Sequence, residues 1–212
     1  MIAQQDEFLR FIKLLSDNGV LKHVILIGSW VEFLYRETGR LLGFESNIRT
    51  LDIDFLVKNL RRPMPPSNIA GLAREAGYYV ESDCLDGTTR ILDKSGLEIE
   101  FLINKKGQGI EETLRTNIGV TAQAMRHMEI ILNNVETIEY LGFCIEVPSP
   151  EAYAIHKMVI NGKRKEKTEK DRQAIINMWN HLDKVEVNRI IETLSKRERK
   201  AVNEFITLNE IG

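Results

Sequence analysis

Cysteine is scarce in this chain, with only Cys84 and Cys144 in 212 residues. Two cysteines give no disulfide framework and no metal-ligand spacing, and a reducing compartment, the cytoplasm, is the expectation. With only four scattered histidines beside them, the composition argues against a structural zinc site. No apolar run approaches the roughly 20 residues of a membrane-crossing helix. The first residues, MIAQQDEF, place acids where a secretory leader carries positive charge, so export is not expected. Charge of one sign is also lacking. The 29 Lys+Arg against 31 Asp+Glu give a formal net charge of −2, which excludes a generally basic nucleic-acid coat and leaves room for a local patch. Internal repeats and low-complexity tracts are absent. What remains is a globular composition, 43% hydrophobic and 28% charged, long enough for one large domain or two small ones.

Along the chain, Phe8, Leu9, Phe11, Ile12, Leu14 and Leu15 carry helical spacing over residues 3–17, and Asn18-Gly19 stops it. HVILIG reads as a short buried strand, followed by a helix over 30–38 with Ser29 placed to cap it. Residues 39–49 read as a loop or hairpin. Thr50 to Val57 alternates as a strand, RRPMPPSN breaks the chain, and a helix follows over about 68–76. YYVES, TTRIL and LEIEFLI read as strands. GVTAQAM reads as a short helix or loop, and MEIILNN and ETIEYLGFCIEV as further strands. Pro148-Ser149-Pro150 then marks a change to an all-helical third. The expectation is an α/β (α+β) domain over 1–147, a mixed sheet flanked by helices, and a helical subdomain over 148–212.

The informative segment is TLDIDFLV. Residues two apart on a strand share a face, so Asp52 and Asp54 point together while Leu51, Ile53 and Phe55 point the other way. Adjacent acids on a core strand repel and are costly to bury, and a divalent cation resolves the conflict. Mg²⁺ suits them: it is a hard ion that takes one or two carboxylates plus substrate phosphates. LEIEFLI repeats the device with Glu98 and Glu100. Were this strand to lie beside the first, three acids would suffice for two Mg²⁺ ions. The plainer reading of each pair is a solvated sheet face.

Gly28-Ser29 follows a buried strand and opens a helix, a place where free N–H groups and the helix dipole favour phosphate. No lysine follows as in a P-loop, and no GxGxxG is present. A plain strand-to-helix turn is the competing account. Further on, Lys163, Arg164, Lys165, Lys167, Lys170 and Arg172 alternate with acids, the pattern of a solvated helix with weak ion pairs. Arg164 is the candidate phosphate contact among them. Lys157 differs, standing amid Ala154, Ile155, Met158 and Val159, where an amine can reach a triphosphate as a point charge. His23, His127 and His181 read as structural or surface residues, Trp30 and Trp179 as core, and Tyr78-Tyr79 as strand packing.

The order strand, Gly28-Ser29, helix, strand with Asp52-Ile53-Asp54, and a later strand with Glu98/Glu100 resembles the polymerase-beta-like nucleotidyltransferase superfamily. With T-x-D-I-D, PSPEAYAIHKMV and a later Lys-Asp, the chain looks most like the bacterial nucleotidyltransferase-fold family, and more distantly like abortive-infection and toxin-type nucleotidyltransferases. The likeness covers most of residues 23–175. Residues 39–49 depart from it as an insertion between Gly-Ser and the acids. It implies that Asp52 and Asp54 bind Mg²⁺ and that a third acid acts on the acceptor. Glu100, preceding Phe101-Leu102, is favoured for that role, with Glu98 an alternative on the same face. It also implies that Lys157, Lys170 and Asp171 face the nucleotide. The activity so implied is Mg²⁺-dependent transfer of a nucleoside monophosphate from an NTP to RNA, protein or a small molecule. The alternatives are a catalytically silent module of a toxin–antitoxin or defence system, and a metal-dependent phosphohydrolase. Neither base choice nor oligomeric state is readable.

Overall fold

The computed structural model describes residues 2–44, 52–105, 107, 112–161 and 168–211. Arg164 and the Lys163, Lys165 and Lys167 around it lie outside the described residues, as do residues 45–49 of the segment 39–49 read as an insertion.

The chain opens with α1 (Ile2–Asp17), whose Phe8, Phe11, Ile12 and Leu15 are wholly buried, as their three- and four-residue spacing requires. A short 3-10 turn leads into β1 (Val24–Ile27), buried at every position, and then α2 (Trp30–Glu37). β2 (Asp52–Val57) follows, then α3 (Ile69–Glu75), capped where the Asn68 side chain accepts from the Gly71 N–H. β3 (Tyr79–Ser82) and β4 (Thr89–Leu92) form a hairpin, followed by β5 (Glu98–Asn104), β6 (Thr113–Arg115) and β7 (Thr121–Met125). After α4 (Glu129–Leu132), β8 (Val135–Tyr140) pairs with β9 (Phe143–Pro148) in a separate two-stranded sheet. Four helices complete the chain: α5 (Pro150–Asn161), α6 (Thr168–Trp179), α7 (Lys184–Thr193) and α8 (Lys196–Asn209).

The main sheet runs β1-β2-β5-β4-β3, with β7 also pairing β5 and β6 pairing β7. β2, β5 and β7 are parallel neighbours, and the other pairings are antiparallel, so the sheet is mixed. Its two faces differ. Ile53, Phe55 and Val57 with Ile99, Phe101 and Ile103 enter the large core, where Phe55 stacks on Phe101 and Phe8 on Trp30. On the other face Ile25, Ile27, Leu56 and Leu102 pack beneath Met128 and Ile131 of the α4 segment. α5 is buried along its whole length and packs on α4, α6, α7 and α8.

Two readings of the sequence are corrected. MEIILNN is helical over Glu129–Leu132, because Met128 and Ile131 both turn down onto the sheet while Asn134 folds back to Ile130. GVTAQAM contains strand β7, because pairing with β5 and β6 outweighs the helical preference of its alanines and glutamine. Among the described residues no helix is long and apolar enough to cross a membrane. Both cysteines are free thiols on the surface.

Candidate active site

β2 and β5 lie side by side in register, Asp52 opposite Glu98 and Asp54 opposite Glu100. The alternation that buries Ile53 and Ile99 therefore sets four acids on the other face in two facing rows. Like charges directly opposite on neighbouring strands each cost a few tenths to about 1 kcal/mol. The two candidates for a third acid face different surroundings. Glu98 meets the Arg90 guanidinium from β4 at 3.3 Å. Glu100 lines a cavity together with Asp54.

The turn after β1 explains its glycine. Ile27 pairs with Asp54, and Gly28 follows with φ +73°, in the left-handed region. A Cβ at position 28 would overlap Asp54 Oδ2, so only glycine lets that carboxylate lie across the turn. Ser29, expected to cap α2, makes no side-chain cap bond. Its backbone is already helical, at φ −75° and ψ −16°, and not in the extended conformation that aims a capping hydroxyl at the following N–H groups.

The cavity has a volume of about 150 Å³. Gly28, Asp54 and Glu100 form its sheet side, Gln123 and Met125 of β7 continue it, and His156 and Lys157 of α5 face them. Ile27, Leu102, Met128 and Ile131 supply an apolar floor. Asp52, two residues from Asp54 on the same face, is half-buried and does not itself line the cavity.

Lys157 is buried, and its charge is matched there. Its Nζ donates to Asp171 Oδ1 at 2.6 Å and stands 3.6 Å from Glu32 Oε1. Tyr153, one turn earlier on α5, donates its hydroxyl to the same Glu32 oxygen at 2.6 Å, and its ring lies 4.9 Å from Nζ. Burial first, then the Glu32 carboxylate, holds the Tyr153 phenol well above its ordinary range, so it stays a donor. Asp171 thus turns inward to Lys157, whereas its neighbour Lys170 is exposed and does not line the cavity.

The remaining singled-out residues lie outside the cavity, and Tyr79, read as strand packing, is exposed. His127 pairs with Glu198 at 2.6 Å, His181 packs edge-on against Phe44, and Trp30, Trp179 and Tyr78 are buried. The sequence reading passed over Glu32 and Tyr153. The i, i+4 spacing of Tyr153 and Lys157 was the available signal for the tyrosine. Glu32 had none, since a single acid on a helix reads as solvated.

Among the described residues, no three His, Cys, Asp or Glu side chains close on one metal-sized point. The cavity nonetheless offers the Asp54 and Glu100 carboxylates, oxygen donors that suit a hard ion such as Mg²⁺ completing its shell with phosphate and water, beside the Gln123 amide and the His156 imidazole. The missing Cβ at Gly28 gives its place to the Asp54 carboxylate, which keeps that donor beside the turn.

A family model described as nucleotidyltransferase matches residues 6–188. No protein of curated function matches the sequence. Among solved structures, the chain is similar to an antigenic nucleotidyltransferase-like protein from Paracoccidioides brasiliensis, at TM-score 0.50 and 14% identity over 88% of this chain and 80% of that one. It also matches the Megavirus polyadenylate synthase at TM-score 0.42 and 13% identity, over 80% of this chain and only 30% of that one.

Proposed function

The chain belongs to the nucleotidyltransferase family, and from that premise we propose that it transfers a nucleoside monophosphate from a nucleoside triphosphate to an acceptor oxygen, releasing pyrophosphate. The observation that carries this reading is that Asp54 and Glu100, opposite each other on parallel strands, line one cavity with Gly28 and Lys157.

Asp52, Asp54 and Glu100 would hold Mg²⁺, which when bound supplies positive charge against the triphosphate and the attacking oxygen. Gly28 leaves room for the Asp54 carboxylate beside the turn that opens α2, and the Ser29 hydroxyl there is a donor for a phosphate oxygen. Glu100 takes the proton of the acceptor hydroxyl as its oxygen bonds the α-phosphorus. The bond from that phosphorus to the bridging oxygen breaks, and the electron pair leaves with pyrophosphate. Lys157 balances the charge gathering on the leaving group, and Asp171 serves by holding Lys157. Catalysis in this reading is positioning and charge stabilisation. Exposed Lys170 takes no part.

Labelled ATP, CTP, GTP and UTP, each incubated with Mg²⁺, the protein and a total cell extract, test the reading. Transfer of label to an acceptor is expected from one or more of them, and Asp52→Asn or Asp54→Asn abolishes it without unfolding the protein. Full transfer by the double variant would remove the assignment.

A further inference from the structure

Lys157 sits between two carboxylates that come from different helices, Asp171 on α6 at 2.6 Å and Glu32 on α2 at 3.6 Å. The two are not equivalent. Asp171 makes a full charge-assisted hydrogen bond. Glu32 stands back, and the oxygen it presents to the ammonium, Oε1, is the one taken by the Tyr153 hydroxyl at 2.6 Å. All four side chains are buried, so solvent does not loosen this arrangement. An ammonium has three N–H donors. Asp171 satisfies one, and Glu32 does not close on a second. Lys157 thereby keeps donor capacity toward the cavity that it lines opposite Gly28, Asp54 and Glu100. Glu32 also lies in the first turn of the helix that Gly28-Ser29 opens, so the turn and the cation are linked through it.

We propose that Tyr153 and Glu32 are positioning residues for Lys157. The phenol occupies the Glu32 carboxylate and holds it off the ammonium, which leaves Lys157 turned to the terminal phosphates of the bound nucleotide. This rests on the nucleotide reading above. Without the phenol, Glu32 closes on Lys157 and draws the cation away from the cavity. The effect falls on phosphates beyond the first, because Lys157 is assigned to the leaving pyrophosphate. A role confined to packing would weaken all nucleotides alike.

The experiment measures Mg²⁺-dependent binding of the tri-, di- and monophosphates of adenosine, cytidine, guanosine and uridine, with far-UV melting of each variant. In Tyr153→Phe, triphosphate binding weakens roughly tenfold, as loss of one net hydrogen-bonded contact gives, while monophosphate binding is unchanged. Adding Glu32→Gln to that variant restores triphosphate binding, since the amide has no charge to close on Lys157. Glu32→Gln alone, which does not depend on Tyr153→Phe folding, raises the triphosphate-to-monophosphate affinity ratio about threefold. A Tyr153→Phe protein that loses tri- and monophosphate equally, or that Glu32→Gln fails to rescue, overturns the proposal. So does an unchanged ratio in Glu32→Gln. Wild-type protein that binds no nucleotide in the presence of Mg²⁺ refutes the nucleotidyltransfer reading itself, and this inference with it.

Discussion

One face of the β1-β2-β5 sheet carries Asp52, Asp54, Glu98 and Glu100 at one end and Ile25, Leu56 and Leu102 at the other. The strands and their side-chain alternation are the same, and only the chemistry changes, within four residues of β2. The apolar end is covered by Met128 and Ile131 and stabilises the fold by removing hydrocarbon from water. The acidic end opens to a cavity and sets like charges opposite each other, which costs stability. A sheet that served stability alone would continue Leu56 and Leu102 outward. The acids are explained by what they bind, and the apolar end supplies the rigidity that holds them in register.

Substitutions at the two ends should act on stability in opposite directions. The largest effect on stability is expected at the apolar end. Leu56 is wholly buried, and Leu56→Ala should lower the unfolding free energy by about 2–5 kcal/mol in a denaturant titration. Its Mg²⁺-dependent stabilisation by nucleotide should survive, because Leu56 does not line the cavity. Gly28→Ala comes next and touches both properties. The left-handed backbone at 28 costs an alanine about 1–2 kcal/mol, and the added methyl displaces the Asp54 carboxylate, so the nucleotide response should vanish as well. Asp54→Asn is smaller in stability and opposite in sign. Relief of repulsion from Glu100 should leave the protein unchanged or up to about 1 kcal/mol more stable, with transfer lost.

The smallest effect concerns a carboxylate that stabilises, in contrast to the acidic end. Glu198 closes a capping box with Ser195 on α8 and meets His127 at 2.6 Å. Burial alone would raise its carboxyl, yet the hydrogen bonds from Ser195 and His127 hold it below the ordinary glutamate range. A depressed folded-state value contributes stability that is present above the unfolded value and is lost as pH falls through the folded one. Glu198→Gln should therefore melt a few degrees below wild type at neutral pH. The gap should close as the pH drops below about 4. A gap independent of pH would assign the effect to capping geometry alone.

The two ends were not equally legible in the sequence. Alternation in TLDIDFLV and LEIEFLI declared which residues share a face, because a strand has a period of two. It did not declare that β2 and β5 are parallel neighbours, or that Asp54 faces Glu100. Those follow from pairing between strands more than 40 residues apart in sequence. Glu98 and Glu100 could not be separated by pattern either, and the difference lies in Arg90, supplied by another strand. The covering segment at 128–132 read as a strand because a short apolar run carries no decisive period. Buried Glu32 was invisible, since its partners Tyr153 and Lys157 lie more than 120 residues away.

If Asp54, Glu100 and the Gly28 turn form a metal-assisted nucleotide site, nucleotide should stabilise the protein only together with Mg²⁺. Thermal melting of wild type and Asp54→Asn with ATP, CTP, GTP and UTP, with and without Mg²⁺, tests it most directly. At saturating nucleotide the wild-type midpoint should rise by about 5–10 °C, only when Mg²⁺ is also present, and Asp54→Asn should show no rise. An equal rise in the variant, or a wild-type rise indifferent to Mg²⁺, would contradict it.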